Sequence, residues 1–69
     1  MSMEDMDPKF RSLSEQARYE LKKGSSSSTS TRDALIAQIA AYLANADLTS
    51  SQKSTLQDFY AQLEALKNS

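Results

Sequence analysis

Cysteine and histidine are both absent from this 69-residue sequence. Their absence excludes the disulfide, the thiol nucleophile, two of the common zinc ligands and the usual proton carrier near neutral pH. Acid–base chemistry would still be open to paired carboxylates, but Asp33, Asp47, Asp58 and Glu64 are predicted on helix surfaces and in loops. The composition therefore predicts a protein that is not an enzyme and that uses no metal or cofactor.

Residues that favour strands or turns are also scarce. Valine and tryptophan are absent, and there is one glycine and one proline against eight leucines and nine alanines. This composition favours helices almost throughout, so we predict an all-α fold. We expect an acidic disordered N-terminus over residues 1–7 and a single small helical domain over residues 8–69. A chain this short buries little surface, so dimerisation is expected to complete the domain.

The first helix is predicted over about residues 8–23. It begins at Asp7-Pro8, because Asp caps free backbone N–H groups and Pro fits the first helical turn. Ser12 followed by Glu15 offers a second start as a capping box. The helix is expected to end before Gly24, which adopts the left-handed backbone of a helix stop easily.

A Ser-rich segment separates the first helix from the second. Residues 24–30 have almost nothing to bury, so a flexible linker is predicted there. A cluster of phosphorylation sites is the alternative, although the sequence shows no obvious Arg receptor nearby. Ser30 or Thr31 is then expected to cap the second helix, about residues 31–45.

The third helix is predicted over about residues 50–67, starting from a capping box of Thr49 and Gln52. The short connection before it predicts that helices two and three form an antiparallel hairpin. Apolar residues at heptad-like spacing form a seam along helix three, and helix two carries an apolar stripe. The seam either joins two copies of the chain or packs inside one. The predicted partner or dimer interface comprises Leu35, Ile36, Ile39, Leu43, Leu56, Phe59, Tyr60, Leu63 and Leu66.

Charge is unevenly distributed along the chain. The net charge is −1, yet residues 9–24 hold five basic and two acidic side chains. Such a helix could contact phosphate groups. A DNA-recognition helix needs Arg, Asn, Gln or Lys at its N-terminal end, and helix three offers only Gln52 and Lys53 there, among four Ser and Thr. Nucleic acid is therefore a candidate partner that is not favoured over an ordinary basic surface. The candidate contacts are Lys9, Arg11, Arg18, Lys22 and Lys23.

Location can also be predicted from the sequence. No apolar run approaches the roughly 18 residues that a membrane-spanning helix needs. The first residues are acidic, whereas a secretory signal begins with basic ones. We therefore expect a cytoplasmic protein without membrane contact.

Three stretches of the sequence share one pattern with a known family: Leu21-Lys22-Lys23-Gly24, then Thr31-Arg32-Asp33-Ala34-Leu35-Ile36-Ala37-Gln38-Ile39-Ala40-Ala41-Tyr42-Leu43, and then Leu63-Glu64-Ala65-Leu66. Through these stretches, residues 17–66 resemble the AriR/YmgB family of small enterobacterial regulators of biofilm formation and acid resistance. The resemblance implies an all-helical homodimer that acts as a connector to bacterial response regulators, with DNA contact as a further family property. This chain differs in its shorter length, its long Ser linker and its modest basic charge, and no functional residue is carried over.

Three functions are consistent with these features. The leading hypothesis is a non-enzymatic helical regulator or adaptor that acts by protein–protein interaction, as a connector to a transcriptional response regulator in biofilm or stress responses. The first alternative is a secretion-type helical co-chaperone that shields a partner segment. The second is a nucleic-acid-binding accessory protein that uses the basic first helix. Salt dependence distinguishes the nucleic-acid function from the two protein-binding functions. Binding to phosphates weakens steeply as the salt concentration rises, whereas contact through an apolar seam is nearly insensitive to salt.

Overall fold

The computed structural model describes residues 7–24 and 28–68, and these residues form three helices and no strand. Helix α1 spans Pro8–Lys23, α2 spans Thr29–Asn45 and α3 spans Ser50–Lys67. Each helix contacts the other two. The prediction of an all-α chain is confirmed.

Helix α1 begins where the sequence predicts. The carboxylate of Asp7 accepts a hydrogen bond from the backbone N–H of Phe10 at 3.0 Å, and Pro8 occupies the first helical position. Asp7 thus belongs to the folded unit, although it was predicted within the acidic disordered segment; the rest of that segment lies outside the described residues. The second start at Ser12 is wrong, because Asp7 caps the helix a turn earlier and Ser12 instead accepts a hydrogen bond from Gln16.

The end of α1 also follows the prediction. Gly24 has φ 59° and ψ −130°, and its backbone N–H donates to the carbonyl of Glu20. A positive φ costs glycine little because it has no Cβ. Lys22 and Lys23 occupy the last turn, where cations face the negative end of the helix dipole.

Helix α2 begins two residues before the predicted start. Ser28 is its N-cap, with an extended backbone and an Oγ that accepts a hydrogen bond from the N–H of Thr31 at 3.4 Å. The predicted caps, Ser30 and Thr31, therefore lie inside the first turn. A run of Ser and Thr offers a cap in several registers, so the pattern could not fix this boundary. Residues 25–27 of the predicted linker lie outside the described residues.

Helix α3 begins with the predicted capping box. The N–H of Gln52 donates to Thr49 Oγ1 at 3.1 Å, and the N–H of Thr49 donates to Gln52 Oε1 at 3.0 Å. This reciprocal pair satisfies two backbone donors at the start of the helix. The Gln52 side chain is buried, and its use in the cap explains how a polar group is accommodated there.

The core takes residues from all three helices. Its most deeply buried large side chains are Leu13, Ile39, Leu56 and Leu63, one each from α1 and α2 and two from α3. Burial of such side chains is the main favourable term in folding, worth about 1.5–3 kcal/mol each. The buried apolar set is Phe10, Leu13, Ala17, Leu35, Ile36, Ile39, Leu56 and Leu63.

Candidate protein-interaction surface

The predicted interface residues fall into two groups. Five of them have side chains that are already covered by their own chain in the core. As packed here, these side chains face the other helices and not solvent. The five are Leu35, Ile36, Ile39, Leu56 and Leu63.

The other four predicted interface residues are Leu43, Phe59, Tyr60 and Leu66, which remain half-buried. Leu43, Phe59 and Tyr60 pack against the edge of the core. The Tyr60 hydroxyl hydrogen-bonds the Glu64 carboxylate one turn along α3, and this bond raises the pKa of Tyr60. These side chains therefore contribute to the core and also present apolar surface outside it.

The five candidate nucleic-acid contacts all lie exposed on α1, where they border different depressions of the surface. Lys9 borders a groove of about 420 Å³ beside the end of α2, which Tyr42 and Asn45 also line. Arg11 borders a smaller depression with Pro8 and Glu15. Along α1, the exposed Glu15 stands between these two cations and the remaining three.

Arg18, Lys22 and Lys23 are brought together around an exposed aromatic ring. They line a groove of about 500 Å³ with Tyr19, whose side chain is 56% exposed. The Lys23 Nζ lies 5.0 Å from the centre of the Tyr19 ring. Arg18 lies 5.8 Å from the centre of the Phe59 ring, so it connects this groove to α3.

Sequence reasoning did not include Tyr19 in any site. The signal was nevertheless present, because Arg18, Tyr19, Lys22 and Lys23 stand at positions i, i+1, i+4 and i+5. Residues four apart on a helix are neighbours on its surface, so this spacing predicts one cluster. We name the surface formed by these four residues the basic groove.

A second feature not found from the sequence joins the start of α1 to α2. The Tyr42 hydroxyl lies 2.7 Å from both carboxylate oxygens of Asp7 and donates to that carboxylate. The N–H of Phe10 and then the Tyr42 hydroxyl hold the pKa of Asp7 below its ordinary value. Burial, and then the Asp7 carboxylate, raises the pKa of Tyr42 to about 12.

Polar side chains are also buried among the helices. Arg32 is 7% exposed and its Nε has no hydrogen-bond partner, and the buried Oγ of Ser14 has none either. Glu20 is 6% exposed, and its carboxylate lies 4.0 Å from Lys23 Nζ. Buried polar groups without partners are costly, so Arg32 and Ser14 reduce stability as they are placed here.

Two further findings concern the described part of the chain. Its acidic residues do not come together in any group of three that could hold a metal ion. None of its three helices is both long enough and apolar enough to cross a membrane.

The chain was also compared with known proteins. No protein-family model, no curated protein and no solved structure matches it.

Proposed function

We propose that this chain is a non-enzymatic helical adaptor that acts in the cytoplasm by binding other protein chains. The observation that carries the proposal is that four apolar side chains along α2 and α3 remain only half-buried, namely Leu43, Phe59, Tyr60 and Leu66. Protein interfaces are enriched in aromatic side chains of this kind, and they require apolar surface that a folded monomer leaves accessible. The first partner that we propose is a second copy of the chain.

We also propose that α2 and α3 form an antiparallel hairpin that presents these side chains. The connection between the helices is short, covering residues 46–49. Lys67 at the end of α3 has its Nζ 3.9 Å from Oδ1 of Asp33 near the start of α2. Both residues are about half exposed, so this ion pair supports the helix direction more than it stabilises the fold.

The resemblance to the AriR/YmgB regulators suggests the second partner. Under that proposal the chain, once paired, connects to a response regulator that controls biofilm or stress responses. Support for this part comes from the resemblance and from the helical architecture that such regulators share. It requires the paired state, so pairing is the property to test first.

The experiment is light scattering at several protein concentrations and at low and high salt. We expect a dimer whose mass is insensitive to salt, because apolar contacts are not screened. Replacing Tyr60 and Leu66 together by Ser should return the chain to a monomer and leave its helical content unchanged. The matched control replaces two exposed α3 residues, Gln57 and Gln62, by Ser and should leave the dimer intact.

A monomer at every concentration would overturn the pairing. The adaptor proposal would then rest on a different protein as the partner. That arm is tested by crosslinking in cells, followed by reconstitution of the complex from purified components. A complex that the Tyr60 and Leu66 double variant forms as tightly as the unaltered chain would contradict the proposed surface.

A further inference from the structure

The basic groove combines charge with an exposed aromatic ring. Within two turns of α1, the groove brings together Arg18, Lys22 and Lys23 around Tyr19. Among the residues that the structure describes, Tyr19 is the large hydrophobic side chain that is exposed. The long stems of Lys and Arg add apolar surface beside the ring, while their charged ends stay in water. The groove therefore offers an apolar floor bordered by cations.

Two of these cations are not paired with carboxylates. Among residues 7–24 and 28–68, the ion pairs found join Lys23 to Glu20 and Lys67 to Asp33. Arg18 instead lies against the Phe59 ring, and Lys22 is exposed. An approaching carboxylate could therefore bind Arg18 and Lys22 without first displacing an internal ion pair.

The distribution of cations along α1 argues against a nucleic-acid strand. The remaining cations of α1, Lys9 and Arg11, border other depressions. The exposed carboxylate of Glu15 stands between Arg11 and Arg18 along α1, so an acidic side chain interrupts the run of cations. Nucleic-acid binding that depends on phosphates usually neutralises many of them along an extended basic track.

We propose that the basic groove binds a short acidic peptide segment of the partner protein, with carboxylates on Arg18 and Lys22 and an apolar side chain against Tyr19. This inference rests on the proposed adaptor function and specifies which surface recognises the partner. Charge complementarity speeds the encounter and selects acidic partners, and the Tyr19 ring contributes apolar contact area.

The test is an NMR titration of the full chain with a synthetic acetylated hexapeptide, Asp-Glu-Phe-Asp-Glu-Leu. A second peptide carries Asn and Gln in place of Asp and Glu. We expect the acidic peptide to shift the backbone amides of residues 18–23 selectively. Replacement of Lys22 by Gln should weaken binding about fivefold, and so should Tyr19→Ala, because each removes one exposed contact. The matched control is Lys53→Gln, an exposed cation on α3, which should bind as the unaltered chain does.

Several results would overturn the proposal. The first is an absence of saturable shifts in residues 18–23, and the second is equal binding of the neutral peptide. The third is tighter binding of single-stranded oligothymidylate in the same groove, with steep loss between about 50 and 200 mM salt, which would assign it to nucleic acid. Failure here is distinguishable from failure of the adaptor function, because pairing is measured through Tyr60 and Leu66 on α3.

Discussion

Asp7 performs two tasks with one carboxylate. It caps the first turn of α1 through the N–H of Phe10, and it accepts a hydrogen bond from Tyr42 on α2. The first contact is local and the second joins residues 35 positions apart. Loss of its charge should therefore weaken a helix end and a contact between helices together.

The first prediction concerns acid stability. Because the pKa of Asp7 is lowered in the folded chain, its contribution is present above the unfolded pKa of 3.8 and is lost as pH falls through the folded value. Asp7→Asn keeps a good N-cap but removes the charge, so it should flatten this acid dependence. Urea unfolding at a series of pH values from about 2 to 6 measures the effect.

The same contact predicts an alkaline limit. The raised pKa of Tyr42 means that its contribution is present below pH 10 and is lost between pH 10 and about 12. Tyr42→Phe should remove the hydrogen bond from the hydroxyl to Asp7, so that the Asp7 carboxylate keeps only its capping bond to the N–H of Phe10.

The acid series has its own control, Asp58→Asn, which changes an exposed carboxylate on α3. An Asp7→Asn variant with an unchanged acid dependence would contradict the role of this carboxylate.

The second prediction is that removing the buried charge of Arg32 stabilises the chain. Its Nε has no hydrogen-bond partner and the residue is 7% exposed. Met keeps most of the apolar volume without the charge, so Arg32→Met should raise the free energy of unfolding by about 1 kcal/mol. Thermal unfolding measures this change in stability. The control is Arg11→Met at an exposed position of α1, which should leave the stability nearly unchanged. A loss of stability would show that the other guanidinium nitrogens of Arg32 are well bonded.

At the scale of the element, the caps determine where each helix begins. Asp7 and the Thr49–Gln52 pair are recognisable from the sequence because each acts on backbone groups within three residues. The start of α2 could not be recognised from the sequence, because several Ser and Thr hydroxyls lie near it and only that of Ser28 becomes the cap. The start of a helix is thus predictable from the sequence where one residue is clearly the best N-cap.

The third prediction tests the α3 cap. Thr49→Ala removes the hydroxyl that accepts from Gln52 and leaves that N–H without its partner. We expect a loss of about 1 kcal/mol in the free energy of unfolding, measured as a lower urea midpoint with an unchanged slope. Ser51→Ala lies in the exposed first turn of the same helix and should have little effect. Equal losses in the two variants would show that the cap contributes nothing specific.

At the scale of the whole molecule, three helices share one small core. The seam on α3 was predicted, and its Leu56 and Leu63 are completely buried. The seam pattern did not predict that Phe59 is only half-buried, because its burial depends on how α1 packs against α3 and on where Arg18 lies. The buried positions of Arg32 and Ser14 likewise depend on helix packing, which no local spacing reports.

The fourth prediction concerns the dependence of the fold on this core. Leu63→Ala leaves a cavity in the core and should lower the free energy of unfolding by about 2–5 kcal/mol. A single core of this size rarely supplies more than about 3–5 kcal/mol, so the variant should be largely unfolded at 25 °C. Circular dichroism measures the remaining helix, and Leu66→Ala at a half-buried site should retain most of it. A melting curve for Leu63→Ala equal to that of the unaltered chain would contradict the core assignment.

Gly24, which follows α1, has a backbone conformation that suits a D-amino acid better than an L-amino acid. Its φ of 59° and ψ of −130° are the mirror image of the extended conformation that L-residues favour. An L-alanine at position 24 would meet no atom within 4 Å and would be strained by its backbone alone. A D-alanine, introduced by chemical synthesis, suits this backbone and restricts the unfolded chain, so it should stabilise by about 0.4–1 kcal/mol. Two enantiomers of one residue should therefore shift the melting temperature in opposite directions.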